Sequence, residues 1–161
     1  MDAKTEKAQI RLTRTSSAYW RITFDNPPLN LMGPQFVREF RELITAIETD
    51  EDVKVVVFDS AVESFFLNHS DFLADFKELT SIPQGPTGLE AWPDILVRIT
   101  RAPVVSIAMI RGRATGNGSE LALACDMTFA SREKALLSQW EVGVGLVAGG
   151  GPMARLPGVM S

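Results

Sequence analysis

Two β-prone runs open the pattern, residues 10–13 and Tyr19–Phe24, and the Ser16-Ser17 step between them predicts two strands joined by a turn. The Asn26-Pro-Pro-Leu-Asn30 loop ends them. The apolar period then changes: Phe36, Val37, Phe40, Leu43, Ile44 and Ile47 recur at helical spacing with charges between them. Pro34 suits the first turn of that helix, which is predicted over Pro34–Thr49. Residues 53–58 form a nearly continuous β-branched run, as in a strand covered on both faces, and Phe65–Leu67 reads as its neighbour.

Farther on, Asp71 is placed to cap a helix running to Leu79. Residues 81–88, Ser-Ile-Pro-Gln-Gly-Pro-Thr-Gly, forbid regular structure and read as a mobile surface loop. A second amphipathic helix is predicted over 89–99, stopped by Pro103, then a buried strand over 104–110 and a glycine-rich turn. A helix over 118–124 and strands over Met127–Ala130 and 135–137 follow, and glycine dominates 143–151. The resulting order, β-β-α-β-β-α-α-β-α-β-β, is α/β. No internal repeat or coiled-coil heptad is visible, and residues 1–161 read as a single domain.

Composition narrows the function classes. A chain of 161 residues can bury roughly 70% of its unfolded surface, enough for one real core. No apolar run approaches the roughly 20 residues of a membrane-spanning helix, so no membrane association is expected. The charged amino terminus carries no secretory signal pattern, and the single Cys125 permits a reducing compartment, so a cytoplasmic location is the expectation. The net charge of −4 and the lack of a Lys/Arg cluster argue against nucleic acid as a partner.

Candidate chemistry gathers after the buried strand. Gly112, Gly116 and Gly118 let backbone approach a ligand, and a helix starting there points free amides at it. Glu120 sits in that helix's first turn; as a bland alternative it is only an acid favoured by the helix dipole. Gly143-Val-Gly145-Leu-Val-Ala148 fits a permissive dinucleotide fingerprint without the later ribose-binding acid, and no P-loop sequence occurs. The lone His69 cannot belong to a multi-histidine metal site, so no metal is expected. Cys125, among Leu, Ala and Met, reads as a packed, inert thiol.

The segment Gly112-x-x-x-Gly116-x-Gly118-x-Glu120-Leu-Ala-Leu-Ala-Cys-Asp126, followed by Phe129-Ala130-Ser131, resembles the crotonase (enoyl-CoA hydratase/isomerase) family. Gln139-Trp-Glu141-Val-Gly-Val-Gly145 through Gly151, with Arg155-Leu156, resembles that family's second glutamate motif. Asn26-Pro-Pro-Leu-Asn30 and Phe66-Leu-Asn-His-Ser-Asp71 fall where the family has P-x-N-A and F-x-A-G-A-D. His69, Asn68, Asn117 and Trp140 stand where the family has Gly, Ala, Gly and usually Pro.

The resemblance implies a crotonase-like ββα spiral core, lacking the family's C-terminal helical trimerisation region, and a homotrimer or hexamer where that region is present. It implies an acyl-CoA thioester as ligand, with coenzyme A as part of the substrate and no separate cofactor. Glu120 and Glu141 would be the acid/base pair, and the backbone N–H groups of Asn68 and Asn117 the oxyanion hole. Leu29, Asn30, Leu67, His69, Asp71, Gly116, Trp140 and Gly149 would contact substrate. The reaction implied is enoyl-CoA hydration or isomerisation within fatty acid metabolism. The alternatives are C–C bond hydrolysis, retro-aldol cleavage, or a non-catalytic acyl-CoA-binding homologue.

Overall fold

The structure, a computed structural model, describes residues 7–160. β1 (Ile10–Arg14) and β2 (Tyr19–Phe24) form the expected antiparallel pair, and Ser16 Oγ accepts the Tyr19 N–H at 3.1 Å in their turn. α1 (Pro34–Thr49) turns Phe36 and Phe40 onto Phe24, with ring centroids 5.4 and 5.7 Å away. Phe40 also meets Phe58 of β3 (Val55–Ser60), so the 3.6-residue stripe of the helix and the inward face of the sheet build one aromatic core.

Beyond β3 the chain repeats a two-strand step. β3 leads to β4 (Phe65–Leu67), β5 (Val105–Ile110) to β6 (Arg113–Thr115), and β7 (Met127–Ala130) to β8 (Leu136–Ser138). The first strand of each pair enters a large sheet of order β1-β2-β3-β5-β7, and the second enters a small sheet of order β4-β6-β8. All pairings except β1 with β2 are parallel. Parallel neighbours need crossovers, supplied by α1 between β2 and β3, by α2 (Phe76–Thr80) with α3 (Ala91–Arg101) and by α4 (Asn117–Ala124). After β8 come a 3-10 turn, Trp140–Val144, and α5 (Pro152–Met160).

Three differences from the sequence reading have physical causes. β6 lies inside the stretch read as a glycine-rich turn: three residues are too few to show a period, and the strand exists because β4 and β8 pair with it on both sides. α5 is hidden behind the glycine run, although Pro152 suits its first turn. Asp71 does not cap α2. Asp75 does, accepting the Lys77 N–H at 2.8 Å, while Asp71 accepts the Leu73 N–H at 2.9 Å in a turn of its own.

The 81–88 segment is irregular, as its prolines and glycines require, but it is anchored. Ile82 is buried in the core, Arg41 donates to the Pro83 carbonyl at 2.8 Å, and the Thr87 N–H and hydroxyl both reach the buried Asp94. Among the described residues no helix is long and apolar enough to cross a membrane, and no group of three or more His, Cys, Asp or Glu could hold a metal ion.

Candidate active site

The site is built where the chain passes from the large sheet to the small one. β5 ends at Ile110, and by Arg113 the backbone already pairs with β4, passing so close to the Ser64 backbone that a side chain at Gly112 has no room. β6 then delivers Gly116, whose N–H donates to the Ser138 carbonyl at 2.9 Å and whose Cα lies under Trp140. α4 begins one residue later, so its first amides open beside β6 and β8.

Facing this turn is the loop after β4. The Ser70 hydroxyl donates to Asn117 Oδ1 at 3.1 Å, joining loop and helix start. Among the described residues, neither the Ser70 N–H nor the Asn117 N–H has a hydrogen-bond partner. The Asn68 N–H, by contrast, donates to the Asn30 carbonyl at 3.0 Å, and Asn68 Oδ1 accepts from the His69 N–H and the Thr115 hydroxyl. Asn68 is therefore a buried tie between β4 and β6, and the expectation that its amide is open to a ligand is corrected. The residue that the sequence reading missed is Ser70. The signal for it was its position, two residues further along the same loop, just ahead of Asp71.

Glu120 lies one turn into α4, only 1% exposed. Trp92 of α3 donates its indole N–H to Oε2 at 2.6 Å, and the Gly150 N–H donates to Oε1 at 2.5 Å. A Cβ at position 150 would collide with this carboxylate, so glycine is what lets the backbone come in as a donor. Arg155 of α5 donates to the Gly150 carbonyl at 2.7 Å and holds that turn. Burial pushes the Glu120 carboxyl above the ordinary glutamate range, and the charge of Glu141 adds to this. The Trp92 and Gly150 N–H groups and the Arg155 charge oppose the rise without cancelling it.

Glu141 rides on the 3-10 turn, half-buried, with Oε2 shut away from solvent and without a hydrogen-bond partner among the described residues. Trp140 beside it packs on His69, centroids 4.6 Å apart, and on Phe72 at 5.0 Å, clamping the turn to the loop after β4. His69 Nδ1 is 2.8 Å from the Ser70 carbonyl, which can only accept, so Nδ1 carries a proton.

Glu120, Glu141, Ser70, Asn117, Trp140 and Gly149 all line one cavity of about 390 Å3, whose remaining wall is largely apolar, from Phe72, Leu79, Ile82, Trp92, Pro93 and Val147. Two carboxylates, two open amides and an apolar wall can hold an acyl group, draw negative charge onto its carbonyl oxygen and move protons beside it.

The other expected contacts stand outside this wall. Leu67 is fully buried in the core. Asn30 is fully buried too, donating to Ser60 Oγ at 2.8 Å and the Phe66 carbonyl at 2.9 Å while accepting the Asn26 N–H, so it braces the loop after β4 from behind. Asp71 closes its own turn, His69 and Gly116 back the wall through Trp140, and Leu29 is exposed on the 26–30 loop. The structure thus places these six in the core, in local turns, behind the wall or on the surface rather than in the lining of this cavity.

Comparison with known proteins bears on the same constellation. Residues 14–159 match the family described as enoyl-CoA hydratase/isomerase. The chain belongs to this family. This crotonase-family chain is 32% identical over 156 residues to the mitochondrial enoyl-CoA hydratase domain-containing protein 2 of Mus musculus, covering 96% of the chain and 52% of the relative. It is 30% identical to the ethylmalonyl-CoA decarboxylase of Danio rerio, over 86% of the chain and 46% of that protein. A solved structure from Streptomyces avermitilis superimposes with a TM-score of 0.87 at 33% identity, over 95% of this chain and 57% of that one. The crotonase fold expected from the sequence is therefore the fold observed, and the chain spans about half the length of the relatives it matches.

Proposed function

We propose that the cavity binds an acyl-CoA thioester and that the chain catalyses enoyl-CoA hydration or isomerisation. The observation that carries this reading is the lining of one apolar cavity by Glu120 and Glu141 together with Ser70 and Asn117. The Ser70 and Asn117 amides serve as oxyanion donors to the thioester oxygen, Ser70 taking the place expected for Asn68. Drawing charge onto that oxygen stabilises the enolate-like transition state, and one such donor is worth about 3 kcal/mol. Two acids sharing a site do not both ionise easily, so one gives a proton while the other takes one. In hydration the pair divides a water between the two carbons of the double bond; in isomerisation it carries one proton from carbon to carbon.

The test is to incubate the protein with a short enoyl-CoA and follow loss of the conjugated thioester, in wild type, Glu120→Gln and Glu141→Gln. Each substitution is expected to lower kcat by on the order of 100-fold or more. Turnover unchanged in both would sink the assignment. A second reading, cleavage of a C–C bond to the same enolate, is favoured by the likeness to the Danio rerio decarboxylase. Mass spectrometry of the products formed from enoyl-CoA and from carboxyacyl-CoA substrates separates the two.

A further inference from the structure

Trp92 lies outside every motif that points to this family, yet its indole touches the more deeply buried acid. The ring is 9% exposed, packs on Phe40 with centroids 6.2 Å apart, and walls the cavity while its N–H reaches Glu120 Oε2 at 2.6 Å. The other oxygen, Oε1, receives the Gly150 N–H. Both oxygens thus meet groups that can only donate, and a proton added to either must turn away from its partner. Such bonds favour the ionised form. The charged groups facing Glu120 are Glu141 from the 3-10 turn, which opposes ionisation, and Arg155 from α5, which favours it.

We propose that Trp92 is a positioning residue for Glu120, its indole N–H fixing the orientation and the charge of that carboxylate inside an apolar wall. The proposal rests on the assignment of Glu120 as an acid/base group. Trp92→Phe keeps an aromatic ring in the wall and removes the donor, so the limb of the pH profile that follows Glu120 moves up by about one pH unit. kcat falls at neutral pH while KM changes by less than about threefold, because the aromatic wall remains. A limb that stays in place overturns the proposal.

A second measurement works without turnover. In protein labelled with 15N-tryptophan, the indole N–H signal of Trp92, assigned by its loss in Trp92→Phe or Trp92→Leu, shifts with pH in wild type and stands still in Glu120→Gln. A Trp92 signal that ignores pH in wild type, or still shifts in Glu120→Gln, overturns the proposal. Absence of enoyl-CoA turnover removes the catalytic assignment alone, since the indole titration reads the Trp92 to Glu120 bond directly.

Discussion

Glu120 links stability to pH. Its carboxyl titrates higher in the folded chain than in the unfolded one, chiefly because it is buried. The sign follows: its contribution to stability is fully present below the unfolded glutamate value, about 4.3, and is lost as pH rises through the folded value. The melting temperature of wild type is therefore expected to fall relative to that of Glu120→Gln as pH is raised across that window, as calorimetry can follow. A difference independent of pH contradicts the assignment. Cys125 packs against the core, and burial and then the Asp126 charge push its thiol up to about 12, so iodoacetamide should leave it unmodified in the native protein at pH 8. The two acids that meet at the cavity were legible in the sequence. Which backbone amide stays open was not, because that depends on Asn30, whose carbonyl takes the Asn68 N–H from 38 positions away in the chain.

At the level of elements, α4 makes the roles of side chain and backbone separable. Asn117 is its first residue, where proline is tolerated because the missing N–H has no helical partner. Asn117→Ala deletes the bond from Ser70 and keeps the amide; Asn117→Pro deletes the amide as well. If that amide holds the thioester oxygen, the proline variant falls about 100-fold or more below the alanine variant in kcat. Equal rates for the two, each folded by circular dichroism, would exclude it. Long elements with a clear period, such as α1, were readable from sequence to their observed ends. β6 was not, since a three-residue strand takes its identity from β4 and β8 rather than from its own residues.

The whole molecule shows a regularity that the residues conceal. Three successive strand pairs each step from the large sheet to the small one, yet the sequence shows no repeat, since what recurs is the path of the backbone and not the side chains. Gly112 is where the second of these steps is tightest. Gly112→Ala places a Cβ against the Ser64 carbonyl and must part the segments that lead into β4 and β6 there, costing about 2 kcal/mol on the scale of overpacked cores. Denaturant melts would register this as a lower midpoint; an unchanged midpoint would mean that the crossing has slack.

Arg155, Gly150, Glu120 and Trp92 form a tether of hydrogen bonds from the last helix to the third. The acid in the middle is thus moored from both sides by stretches of chain far from its own motif. Anyone trimming this protein for expression could keep both glutamates and every glycine of the turn, cut ahead of Gly150, and be left with a buried carboxylate adrift on one line.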